Sequence, residues 1–122
     1  MASWIMEYIN KVTIQGTIGG VRFRQVGGKS YLTFSVATNY AYKDNDGCVI
    51  VETTWHRVTS FMDVTDPQAS LVRRGTNVLV EGRLVEQRYI DSNGIEQTAL
   101  SIHAKQIAFI PDKERLTLEI SK

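Results

Sequence analysis

Trp55, Arg57 and Phe61 fall at odd positions of the run Thr53-Thr54-Trp55-His56-Arg57-Val58-Thr59-Ser60-Phe61. Side chains on a strand alternate between faces with a period of two, so the two rings and the guanidinium share one face. An arginine is almost never fully buried without a partner, which turns that face toward solvent or a ligand. Exposed rings beside a cation suit a flat anionic polymer: unpaired bases stack on the rings while phosphates attract the guanidinium. The same pattern also fits a subunit contact with the arginine at its rim.

The parity rule enlarges the candidate face. Arg83 and Tyr89 share odd parity and point away from Val78, Val80 and Leu84, while Tyr31 and Thr33 point outward on an earlier strand. With Tyr42, Arg88 and Lys43 added by residue type, Trp55, Phe61, Tyr89, Tyr42 and Tyr31 are the candidate stacking residues and Arg57, Arg83, Arg88 and Lys43 the cations beside them. Each stacked base contributes about 1–3 kcal/mol, and phosphate contacts add salt-dependent affinity without base readout. Plainer roles stay open: Tyr31 and Tyr42 as β-formers at an edge, and Arg73 and Arg74 as partners of a helix C-terminus. His56, beside Val58 and opposite Trp55, reads as an inward hydrogen-bonded or interface histidine.

Five strands must position these residues. Val12, Ile14, Gly16 and Ile18 alternate with polar residues, as do Leu32, Phe34 and Val36 after the Gly27-Gly28 turn. Tyr40, Tyr42 and Lys43 are expected in the loop that leads through Asp44-Asn45-Asp46-Gly47 into a long strand from Val49 to Phe61. Asp66 as cap, Pro67 at the first helical position, a basic Arg73-Arg74 last turn and Gly75 as stop predict one short helix. A fourth strand runs from Val78 to Tyr89, and a fifth follows the Asp91-Ser92-Asn93-Gly94 turn, with Leu100, Ile102 and Ala104 inward and Ile107 to Ile110 prolonging it. The expected fold is all-β: a five-stranded OB-fold Greek-key barrel with one short helix between strands 3 and 4. Gly16 and Gly82, in mid-strand, favour this barrel over a sandwich because closing a small sheet demands strong local bending.

A chain of 122 residues with 43% hydrophobic content makes one domain that buries roughly two thirds of its unfolded surface. The expected division is a single OB-fold domain over residues 1–122, with a core from about residue 8 to 110 and a C-terminal extension over 111–122. In that extension Leu116, Leu118 and Ile120 alternate with Arg115, Thr117 and Glu119, which suggests a further strand. Fourteen Lys and Arg against thirteen Asp and Glu leave a net charge of +1, so the distribution of charge matters more than its sum. Cys48 is the single cysteine, which excludes an internal disulfide and suits a reducing compartment. His56 and His103 have no partners at metal-ligand spacing, so neither a metal nor a cofactor is expected. No signal-peptide pattern or membrane-spanning run appears, and a cytoplasmic location without membrane contact is the expectation.

Several segments in order and spacing carry a family likeness. Asn10-Lys11-Val12 followed by Gly16, Phe34-Ser35-Val36-Ala37-Thr38, Glu52-Thr53-Thr54-Trp55-His56-Arg57-Val58, Arg74-Gly75 and Val80-Glu81-Gly82-Arg83-Leu84 together resemble the bacterial single-stranded DNA-binding protein family. The likeness covers about Asn10 to Ile110, and the Trp55-His56-Arg57-Val58 run is its most diagnostic piece. The resemblance implies a bacterial, nucleoid-associated homotetramer that wraps single-stranded DNA in replication, repair or recombination. It implies stacking roles for Trp55 and Phe61 and backbone contacts for Arg57, Arg83 and Arg88. Tyr42 and Tyr89 stand where the family often has tryptophan, and His56 matches an interface position. The family's Gly, Pro and Gln-rich linker with an acidic recruiting tip is missing before Lys122, so tip-mediated recruitment of other proteins is not expected. The alternative function is a primosome-type protein-interaction adaptor with weak DNA binding. An enzyme is not expected, because no nucleophile elbow, phosphate loop or metal motif assembles the residues of a catalytic site.

Overall fold

Alternating apolar residues place five strands in this chain, and a computed structural model describes residues 7–63 and 65–111. The strands are β1 (Val12–Val26), β2 (Lys29–Lys43), β3 (Val49–Ser60), β4 (Asn77–Ile90) and β5 (Glu96–Ile110), with one 3-10 helix, Pro67–Leu71, between β3 and β4. They close into a barrel in the order β1-β2-β3-β5-β4, and β4 returns to pair with β1. Every pairing is antiparallel except that of β3 with β5, which run parallel through the pairs Val58↔Ile102 and Thr59↔His103. This is the expected five-stranded OB-fold, with the connecting helix reduced to a 3-10 segment.

Period-two alternation fills the interior. Leu32, Phe34 and Val36 of β2 meet Val58, Val78, Val80, Ile102 and Ile18 in one core, closed by Val72. Each such side chain contributes about 1.5–3 kcal/mol when fully buried. The closure needs two bare backbone positions. A Cβ on Gly16 would strike the Ala37 carbonyl oxygen, and one on Gly82 the His103 carbonyl oxygen.

Hairpin tips are set by local chemistry. Gly27 and Gly28, at φ 57° and 79°, join Val26 to Lys29 in a two-residue turn of the type that matches strand twist. The other two tips repeat one design: the Asp44 carboxylate accepts the N–H groups of Asp46 and Cys48, and the Asp91 carboxylate those of Asn93 and Ile95, all at 2.9 Å. The Ile95 N–H, with help from the Gln97 side chain, holds the Asp91 carboxyl below its ordinary range.

Three expectations are corrected. Tyr40, Tyr42 and Lys43 belong to β2 and not to a loop, because the β2–β3 ladder runs unbroken from Leu32↔Ser60 to Lys43↔Val49. Strand β1 carries its alternation past Ile18 as far as Val26. Asp66 caps as expected, accepting the Gln68 N–H at 2.9 Å, but the helix stops at Leu71 and leaves Arg73 and Arg74 outside its last turn. Leu84, expected inward, is exposed, as is Leu100 opposite Glu86 on the β4–β5 arm. The strand expected over Leu116 to Ile120 lies outside the described residues.

Two bulges re-aim the strands. Ile18 pairs with Val36 and Val21 with Phe34, so β1 carries one extra residue there. Glu81 pairs with Gln106 and Gly82 with Ala104, which makes Lys105 the extra residue of β5. Each insertion exchanges the inward and outward parities beyond it.

Overpacking at a backbone contact typically costs about 1–3 kcal/mol, so Gly16→Ala is expected to lower the urea midpoint with an unchanged slope. Gly20→Ala, where an added Cβ meets nothing within 4 Å, should stay within about 0.5 kcal/mol of the parent.

Candidate nucleic-acid interface

The outward face is built as a lattice by strand register. One rung crosses all five strands: Arg22 pairs with Thr33, Thr33 with Thr59, Thr59 with His103, and His103 with Arg83. Neighbouring rungs add the pairs Arg24↔Tyr31, Ser35↔Arg57 and Ala37↔Trp55. Arg22 and Arg24 point outward because the β1 bulge reverses parity after Ile18, and Val21 and Phe23 then take the pairs with Phe34 and Leu32.

Trp55 is 61% exposed and Phe61 64%, so both rings present surface to a ligand. Trp55 is seated on glycine. An ideal Cβ at Gly19 would lie 2.6 Å from Trp55 Cζ3 and 2.7 Å from Ser35 Oγ, so the bare backbone makes room for the benzo edge of the indole. The Gly20 N–H donates to Ser35 Oγ at 3.0 Å and pins the bulge beneath the ring. Phe61, just beyond β3, stands 5.9 Å from the Tyr31 ring and 5.4 Å, edge to face, from His103.

Between these rings lies a groove of about 540 Å³ bordered by Arg22, Arg24, Tyr31, Trp55, Arg57 and Gln87. Its floor is polar yet closed. Thr59 is buried on the outward side, and its hydroxyl lies 3.2 Å from that of buried Ser101. A second concavity on the far side of Phe61 is bordered by Lys11, Arg83, His103 and Lys105. Among the described residues the ion pairs are Lys11–Glu81 at 3.3 Å and Arg88–Glu96 at 3.7 Å, so Arg22, Arg24, Arg57 and Arg83 carry charge that no carboxylate engages.

The structure brings together Trp55, Phe61, Tyr31, Arg57 and Arg83 of the expected set. Tyr89 shares the outward parity of Arg83 and is half exposed farther along the β4–β5 arm. Lys43 has the parity of Trp55 at the tip of the β2–β3 arm. Tyr42 and Arg88 are not brought onto the face. Tyr42 lies on the other side of its arm, 6.1 Å from Tyr40, and donates to Glu52 at 3.3 Å. Arg88 pairs across the ladder with Thr98, on the side of Leu84, and is held by Glu96. His56 is half-buried, with Nε2 2.8 Å from Thr38 Oγ1, and reaches the border of the groove.

Arg22, Arg24 and Lys105 escaped the sequence reading. The alternation Val21-Arg22-Phe23-Arg24 is a usable signal, set out of phase with Ile18 by the bulge at Gly19-Gly20. No group of three or more His, Cys, Asp or Glu residues could hold a metal ion among the described residues, and none of their helices is long and apolar enough to cross a membrane.

A closed five-stranded barrel with exposed rings and, among the described residues, guanidinium groups that no carboxylate engages on one outward face defines an OB-fold, a fold that binds oligomeric ligands across its strands. The family model for the Single-strand binding protein family matches residues 9–110. The chain belongs to this family. A mitochondrial single-stranded DNA-binding protein of Danio rerio is 35% identical over 116 residues, covering 88% of this chain and 80% of the relative. A single-stranded DNA-binding protein of Neisseria meningitidis is 30% identical over 105 residues, covering 84% of this chain and 60% of the relative. Among solved structures, a Plasmodium falciparum SSB in complex with ssDNA shares the fold with a TM-score of 0.76 at 24% identity, covering 88% of this chain and 99% of that one.

Gly19→Ala must displace the indole from its seat. With Trp4→Phe removing the other tryptophan, acrylamide quenching of Trp55 is expected to increase while circular dichroism stays unchanged.

Proposed function

We propose that this protein binds single-stranded DNA with little sequence preference and shields it during replication, repair or recombination. One observation carries the reading: the exposed Trp55 ring over Gly19 shares a groove with Arg22, Arg24 and Arg57, whose charges no carboxylate engages among the described residues. Bases stack on Trp55, Tyr31 and Phe61 while phosphates follow the arginines, a division that gives affinity without base readout. Tyr89 prolongs the path on the β4–β5 arm. Tyr42, Lys43 and Arg88 contribute to strands long enough to wrap around the arms. The names of the relatives and the DNA bound to the Plasmodium protein support the reading.

The assembly is a homo-oligomer, a tetramer, with His56 and its Thr38 partner at a subunit interface on the side of β3 away from Trp55. The whole of residues 1–122 acts as one domain, in a bacterial cytoplasm at the nucleoid, without catalysis or a cofactor. An adaptor role with weak DNA binding fits less well, because rings and guanidinium groups occupy the outward face.

Titration with a short oligothymidylate tests the reading. Trp55→Ala is expected to weaken binding by about 1–3 kcal/mol. Arg22→Ala should flatten the salt slope by about 0.7, the value for one phosphate contact on a single strand, while Arg88→Ala leaves it unchanged. Retention of full affinity by Trp55→Ala would overturn the stacking role, and solution mass reports the assembly directly.

A further inference from the structure

His103 occupies the middle of the outward lattice, where a titrating ring has consequences. It is half-buried, pairs with Thr59 on β3 and Arg83 on β4, and meets Phe61 edge to face at 5.4 Å. Gln87 Nε2 stands 3.5 Å from its Nε2. Lys11, Arg83 and Lys105 border the same concavity, and among the described residues the one carboxylate lining it, Glu81, is engaged by Lys11 at 3.3 Å. From the remaining neighbours, β3 contributes Thr59 and β2 contributes Tyr31, which reaches His103 through Phe61. The imidazole thus faces cations, neutral polar groups and a ring.

We propose that His103 is a proton-gated contact for the bound strand: neutral, it braces Phe61, and as imidazolium it joins Lys11, Arg83 and Lys105 as a further cation for phosphate. The inference rests on single-stranded DNA binding at this face and adds to it a coupling between binding and proton uptake from solvent.

The electrostatics of the free protein set the direction. Burial and the nearby Arg83 guanidinium both disfavour the charged ring and hold His103 below an ordinary imidazole. A phosphate laid against Arg83 and Lys105 cancels that repulsion and supplies an anion within reach. The bound state therefore favours the protonated ring, and affinity rises as the pH falls toward the free-state titration. The 5.4 Å separation from Phe61 lies within the roughly 6 Å over which a cation is attracted when it stands over an aromatic face.

The experiment compares the parent with His103→Gln, using oligothymidylate because thymine takes up no proton in this range. Affinity and salt slope are measured at about pH 5.5 and about pH 8, on either side of an ordinary imidazole. The parent is expected to bind up to about tenfold more tightly at the lower pH, equivalent to a one-unit rise in the histidine's titration on binding. Its salt slope should steepen there by about 0.7, for one added phosphate contact. His103→Gln should lose both differences, whatever affinity it keeps at the higher pH once the brace on Phe61 is gone; His56 is present in both proteins and cancels. Proton NMR of the His103 ring in the parent gives a second measurement that needs no variant, and its titration should move up when oligonucleotide is added. Equal pH dependence in both proteins, or a His103 titration unmoved by oligonucleotide, would overturn the proposal and leave DNA binding standing. Absence of binding by the parent at either pH would overturn both.

Discussion

The outward lattice depends on a single inserted residue in β1. Between Ile18 and Val21 the strand takes one backbone step more than β2 does between Val36 and Phe34, and inward and outward exchange places. Without that step Arg22 and Arg24 would follow the parity of Ile18 into the barrel. An unpaired guanidinium there would cost several kilocalories per mole, since a buried charge needs both a partner and hydrogen bonds. The bulge therefore lets one strand donate apolar residues to the core on both sides of it and still supply two cations to the surface. Gly19 of the same bulge receives the Trp55 ring while the Gly20 N–H holds Ser35 beneath it, so charge and stacking surface are fixed relative to one another by the same few atoms.

Beneath the rings the groove has a rigid polar floor. Thr59 and Ser101 satisfy one another, and among the described residues no buried side-chain nitrogen or oxygen lacks a partner. A satisfied floor holds the outward residues in place before a ligand arrives, which lowers the entropy lost on binding. The layers run from apolar interior through paired hydroxyls to rings and then to cations. Each layer is a consequence of strand register, since a paired residue inherits the face of its neighbour.

Legibility in the sequence followed the regularity of the pleat. Trp55, Arg57, Phe61, Tyr31 and Arg83 were found by parity, because β2, β3 and the middle of β4 alternate without interruption. Gly16 and Gly82 were recognised as positions of bending, and both prove to be points where a neighbouring carbonyl leaves no room for a side chain. Arg22, Arg24 and Lys105 were missed because bulges change the parity, and a bulge has no periodic signature. Arg88 and Tyr42 were grouped by residue type rather than by parity, and the ladder puts them on the other sides of their arms. The extent of β2 was underestimated because Tyr40-Ala41-Tyr42-Lys43 is prolonged by pairing with β3, a tertiary effect absent from local composition.

The parallel joint between β3 and β5, only two residue pairs long, is where the barrel closes. On one side of it lie the consecutive hairpins of β1, β2 and β3, with Arg22, Trp55 and Arg57; on the other lies the β4–β5 hairpin with Arg83 and His103. Hairpins form through contacts close in sequence, whereas joining these two halves must first overcome the entropy of closing a long loop. The continuous rung from Arg22 to Arg83 exists only where β3 and β5 have met.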